Sequence, residues 1–314
     1  MVNFRFHLVS LTAVFLALAA GITIGAGVVD RATVDQIERR LSDVDARRQA
    51  TNEENDRLRA DLGRWGEFGQ ELGDRPLQGR LNGVTVFAVV TSGLDRGVIE
   101  ALRSSITEAG ATLDGTIVFT GKWSLANDED ARQLAGILDV APTTDRDDLR
   151  AAGIAAISGA WSAGDGGVLV TALIERGFLE FEAGPVEAVA LAELPRPSST
   201  FVVVSGDTAD VPSAQLAHPL VSALVAASDL RLLAAQPLRP PADPPQGGEA
   251  EPAPEFVVGL RSDSAVAGRI STVDNVDDYR GRTAAVLALV ELQSGRRGHY
   301  GFGSDTRRVP AAVP

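Results

Sequence analysis

The sequence predicts an α/β protein built as an N-terminal transmembrane helix, a coiled-coil helix and then a three-layer α/β domain. Three observations carry this. Residues 8–29 form a run of 22 without a charge. Residues 34–72 follow a seven-residue apolar repeat, and beyond Pro76 short β-branched runs alternate with helical patterns. The predicted segments are a short cytoplasmic N-terminus (1–7), the membrane helix (8–29), the coiled coil (30–75) and the α/β domain (80–314), with a proline-rich loop at 237–254.

Composition narrows the function classes. The chain has 314 residues, 45% hydrophobic and 23% charged, enough to bury a core. Its 29 basic and 42 acidic residues leave a net charge of −13, which repels phosphate backbones and argues against nucleic-acid binding. Cysteine is absent, so disulfides, thiolate metal sites and cysteine nucleophiles are all excluded.

As a helix, residues 8–29 reach roughly 33 Å, enough for a bilayer core of about 30 Å. Ala17-Leu18-Ala19 also has the small-x-small look of a cleavage site, yet apolar residues continue through Val29, which favours an uncleaved anchor. Arg5 stands on the short flank, and Arg31, Arg39 and Arg40 on the long one are interleaved with acids. Long domains translocate largely regardless of charge, so the expected topology is a cytoplasmic amino terminus and an extracytoplasmic body in the plasma membrane. Ala17, Gly21 and Gly25 recur every four residues, a stripe of small residues suited to helix packing in lipid.

In the heptad stretch the a positions are Val34, Leu41, Arg48, Asn55, Leu62 and Gly69, and the d positions are Ile37, Val44, Thr51, Leu58, Trp65 and Leu72. That is the seam of a coiled coil. Asn55 at an a position favours two strands in register, and Arg40 opposite Asp45 and Glu54 opposite Arg59 suit a parallel pair. The expected seam contacts are Val34, Ile37, Leu41, Val44, Asn55, Leu58, Leu62 and Trp65. The polar centre at Arg48, Thr51 and Asn55 leaves open whether the partner is a second copy or a different chain. Four glycines loosen the end of the helix and Pro76 closes it.

In the body, residues 84–90 (VTVFAVV) read as a strand, 94–109 as a helix stopped by Gly110, and 112–119 as a second strand. This is a βαβ unit, so the two strands are expected to pair in parallel. Asn127 caps a helix whose first turn carries Asp128, Glu129 and Asp130, and another helix runs through 147–157. Further strands are expected at 186–191, 201–204, 230–233 and 256–260, with helices at 213–227 and 283–293. Residues 237–254 hold seven prolines and read as an extended surface loop.

No catalytic motif emerges, and the chain is read as a non-enzyme without a cofactor. Gly115 to Lys122 has the wrong spacing for a phosphate-binding loop, and Ala160 to Gly164 lacks the first glycine of a nucleophile elbow. The acidic groups Asp145, Asp147, Asp148 and Asp274, Asp277, Asp278 are explained as solvated turns or helix starts rather than cation sites. His7, His218 and His299 lie far apart, and His299 reads as a packed or surface residue.

The opening segment MVNFRFHLVSLTAVFLALAAGITIGA, the heptads after it and residues 271–301 (STVDNVDDYRGRTAAVLALVELQSGRRGHYG) together resemble the actinobacterial MctB/SteB family across the whole chain. The resemblance implies one of two roles. One is copper export through an envelope channel in the outer membrane. The other is that of a single-pass partner of a SteA-like membrane protein, joined through the coiled coil and acting in cell division and peptidoglycan processing. Copper(I) favours thiolate and thioether, yet the chain has no Cys and only Met1, so no copper ligand is assigned. The sequence therefore favours the scaffold over the transporter.

Overall fold

A computed structural model describes residues 4–73, 77–141, 144–164, 166–184, 191–196, 198–237, 256–302 and 306–307. The chain divides into two compact units, 1–67 and 68–314. The predicted loop 237–254 falls outside the described residues except for Pro237.

The first unit is helical. Helix α1 (Phe4–Gly73) runs 70 residues without interruption, as expected of a stretch with no proline before Pro76. Within it, Arg5–Gly25 is long and apolar enough to cross a membrane. Inside it, the Thr12 and Thr23 hydroxyls donate to the Leu8 and Ala19 carbonyls at 2.8 Å, which spares the apolar stretch two unsatisfied polar groups.

Among the described residues, the second unit is built on seven strands. β1 (Thr85–Thr91) and β2 (Thr112–Phe119) pair in parallel around helix α2 (Arg96–Glu108), as the βαβ reading predicts. Asp95 caps α2 by accepting from the Gly97 amide, and Gly110 ends the following turn at φ +97°. With β3 (Leu179–Ala183), β4 (Thr200–Val204), β5 (Leu232–Ala235), β6 (Ser271–Val273) and β7 (His299–Tyr300), the sheet order is β3-β2-β1-β4-β5-β6-β7. All neighbours are parallel except β3, which runs antiparallel to β2 at one edge.

Period-two alternation sends side chains to two cores. Phe87, Val89, Ile117, Phe119, Phe201 and Val203 face α3 (Asp128–Leu138), α4 (Arg146–Ala163), α5 (Gly167–Glu175), α6 (Ala217–Ala227) and α7 (Phe256–Ser262). Val86, Ala88, Val90, Val202, Val204 and Leu233 face α2 and α8 (Tyr279–Gln293). The three-layer expectation holds. The first core is organised by aromatics: Trp161 meets Phe87 edge-on at 5.5 Å, and Trp123 meets Phe178 at 5.9 Å while donating its ring N–H to the Phe178 carbonyl at 2.9 Å.

Several elements differ from the sequence reading. Residues 256–260, expected as a strand, open α7. Phe256, Val257 and Leu260 are buried while Val258 is 39% exposed, a helical i, i+1, i+4 pattern too short for periodicity to distinguish from a strand. The Gln236 side-chain carbonyl accepts from the Val257 amide and so starts that helix. Of the expected strand at 186–191, residues 186–190 lie outside the described residues, and Leu191 opens a 3₁₀ turn. β5 sits two residues later than 230–233, because buried Ala234 and Ala235 pair with β4 and β6 despite weak intrinsic strand preference.

α6 starts at Ala217 rather than at 213, with Pro219 tolerated in its first turn. α4 outruns 147–157 at both ends, and Ala160 to Gly164 form its C-terminal turn, Gly164 taking the left-handed conformation. That sequence is therefore no nucleophile elbow. Gly115 lies within β2, in keeping with the rejected phosphate loop. Asp145 and Asp278 are indeed helix caps. Asp274 is neither a solvated turn nor a helix start, since it is buried against Arg261.

One buried carboxylate bears on stability. Asp114 is the extra residue of a bulge where β2 leaves register with β1. Its side chain is fully buried, 3.1 Å from the Arg196 guanidinium and 3.3 Å from the Ser199 hydroxyl, with one oxygen lacking an aligned donor. Burial pushes its pKa up, against the opposing pulls of Arg196 and Ser199. The ionised form is thus disfavoured in the fold, a penalty present at neutral pH and absent once pH falls below 3.8, the unfolded value. Asp114→Asn is expected to raise the thermal midpoint at pH 7 and leave it unchanged at pH 3. Equal midpoints at pH 7 would contradict this.

Candidate functional site: the α1 stripe and the carboxyl edge of the sheet

The predicted seam residues lie on α1. Ile37, Leu41, Val44 and Leu58 are large apolar side chains left about half exposed or more, Leu41 at 62%. Their spacings of four, three and fourteen residues keep them on one stripe. Asn55 is exposed among them. Val34, Leu62 and Trp65 belong to the same helix, but their side chains lie outside the described residues. Arg59, expected opposite Glu54 of a partner, contacts Asp56 of its own chain at 3.3 Å. Both groups are so exposed that this pair contributes little and leaves Arg59 available. In the apolar part, Ala17 is exposed, and a Cβ on Gly21 or Gly25 would meet nothing within 4 Å.

In the body, strand order reverses between β1 and β4, where doubly wound sheets commonly open a ligand crevice at the strands' carboxyl ends. Here the chain's own loop closes it. The Thr91 hydroxyl donates to Ser205 at 3.0 Å, and the Asp210 amide donates to the Ser92 carbonyl at 2.9 Å. Gly93, at φ +91°, sits so close that a Cβ would lie 2.5 Å from the Thr208 carbonyl oxygen. Only glycine satisfies both the dihedral and the approach.

The far end of the sheet is stitched by Arg261 on α7. Its guanidinium donates to the Thr272 hydroxyl at 2.7 Å, to Asp274 at 2.9 Å and to the Tyr300 carbonyl at 3.1 Å, so one side chain ties α7 to β6 and β7. Asp274 also accepts from the Phe302 amide at 2.7 Å. His299 contacts the Thr272 hydroxyl at 3.0 Å, and burial, followed by the Arg261 charge, lowers its pKa. The Tyr300 hydroxyl donates to Glu291; burial and that neighbour push its pKa well above the usual phenol value. Apart from Arg261 and Phe302, this network lies within the 271–301 segment that carries the family likeness, and its geometry is that of a structural clasp. Among the described residues, no three His, Asp or Glu side chains gather as a metal-holding group.

These features define a doubly wound three-layer α/β protein that carries an amino-terminal helix long and apolar enough to cross a membrane. The chain belongs to the MctB family: the profile described as "Copper transport outer membrane protein, MctB" matches residues 1–310. Among its relatives are the copper transporter MctB of Mycobacterium tuberculosis (strain ATCC 25618 / H37Rv), 27% identical over 98% of this chain and 99% of the relative. The protein of the same name from Mycobacterium leprae (strain TN) is 25% identical over the same shares.

Proposed function

We propose that this chain is a single-pass envelope protein, held in the plasma membrane with its α/β body outside. Its work is to join partners through the α1 stripe, as a non-enzymatic scaffold or regulator in cell division and peptidoglycan processing. The single observation that carries the reading is the exposure of Ile37, Leu41, Val44 and Leu58 on the helix that continues from the apolar segment. Isolated apolar side chains on a surface are ordinary, but a heptad-spaced row supports a joining surface. The partner is a SteA-like membrane protein, a second copy of the chain in a parallel pair, or both in turn.

A second reading is copper transport across the envelope, with an outer-membrane location. It rests on the family description and the names of the relatives. Against it weigh the absence of cysteine from the whole sequence and the single methionine, Met1.

Cross-linking in intact cells, followed by mass spectrometry of the captured complexes, tests the two. The scaffold reading expects cross-links from the 34–72 stretch to a membrane protein or to a second copy. Stoichiometric copper uptake by the purified protein, or discrete conductance in planar bilayers, with no cross-link from that stretch, would replace it with the transport reading.

A further inference from the structure

On the face of the sheet that carries α2, strands β2 and β3 run past the helix and leave a groove of about 450 Å³ between it and the sheet edge. Arg96, Glu100 and Arg103 line it from α2, one helical stripe at i, i+4 and i+7. Glu180 and Glu182, two residues apart on β3, line it from the other side, and Thr116 of β2 lies between. At one end Arg103 and Glu182 close on each other at 2.7 Å, bridging helix and strand.

The rest of the groove is open in a different sense. Among the described residues the side chains of Arg96 and Glu180 have no hydrogen-bond or ion-pair partner, and both are exposed beside the groove. Thr116 is 1% exposed, yet its hydroxyl has no partner; nor does the buried hydroxyl of Ser92, which lies in the turn just ahead of α2. Folded proteins keep few such groups, because an unpaired buried hydroxyl is costly. Among the described residues the groove therefore offers one free cation, one free carboxylate and two unused hydroxyls. Its mixed charge selects by sign. Polyanions would face Glu100, Glu180 and Glu182, and simple cations would face Arg96 and Arg103.

We propose that this groove binds a short peptide with free ends. Arg96 and the Ser92 and Thr116 hydroxyls would take the carboxylate, and Glu180 the ammonium group. The volume lies within the range of small-ligand sites and suits two or three residues. This site is independent of the α1 stripe and of any joining role.

Titration of the full-length chain in nanodiscs with L-alanyl-L-alanine, followed calorimetrically, tests the proposal. Saturable one-to-one binding is expected, weakened at least about tenfold by acetylating the amine, by amidating the carboxylate, by Arg96→Ala or by Glu180→Gln. Arg96 and Glu180 are exposed, so both variants should keep the parent's thermal midpoint. Thr116→Val separates binding from packing: affinity should fall while the fold persists. The proposal is overturned by an absence of saturable heat up to about 20 mM, above the millimolar range of weak ligands. Binding indifferent to blocked ends or to Arg96→Ala would overturn it equally.

Discussion

Replacing Leu41 and Leu58 together by aspartate is expected, on the joining role proposed for α1, to abolish recovery of the chain with a partner while the α/β body stays folded. Both side chains are about half exposed or more on α1, so the substitutions disturb little packing among the described residues. In a joined helix each leucine contributes about 1.5–3 kcal/mol through burial, so the loss of two weakens association by roughly two to four orders of magnitude. Burying the new carboxylates adds a further penalty. Aspartate costs an exposed helix only about 0.7 kcal/mol per position, so α1 itself survives. Co-purification from membranes and far-ultraviolet circular dichroism measure the two halves of the prediction. Unchanged co-purification with intact helicity would remove the joining surface from the account, leaving the copper reading in possession.

The second large effect lies in the body. Asp274→Ala strands the Arg261 guanidinium, whose side chain is 9% exposed, without the carboxylate that neutralises it. Breaking a buried pair from one side costs about 3–5 kcal/mol, a substantial part of the 5–15 kcal/mol that holds an ordinary domain together. The Phe302 amide also loses its acceptor. Urea unfolding followed by the fluorescence of Trp123 and Trp161, with Trp65 replaced by phenylalanine in every sample, reports on the body alone. Asp274→Asn, which keeps an acceptor for the amide, should fall between the parent and the alanine variant. A midpoint for Asp274→Ala equal to that of the parent would show that the Arg261 clasp is not a support of the sheet edge.

These two predictions draw on different kinds of legibility. The α1 stripe is an expectation from heptad spacing, a local property, and its described members Ile37, Leu41, Val44 and Leu58 are exposed on α1. Val34, Leu62 and Trp65 follow the same repeat, though their side chains lie outside the described residues. The Arg261–Asp274 pair could not be read. Its partners are 13 residues apart across a turn, and nothing in the spacing marks Asp274 as buried rather than solvated. The peptide groove was equally hidden, since Arg96, Thr116 and Glu180 come from three elements and meet only when β3 folds back along β2.

The sequence by itself determined a long amino-terminal helix with an apolar beginning, the β1-α2-β2 unit, the Asn127 cap on α3 and the layered α/β class. Each follows from hydrophobic period, capping chemistry or turn residues within one window of chain. The tertiary structure alone decided that 256–262 is helical, that β5 lies two residues late, that β6 and β7 exist at all, and that β3 reverses at the edge. Strands of two to five residues bury too little to declare themselves; they become strands when a neighbour supplies the other half of each hydrogen bond, and that neighbour is remote in sequence.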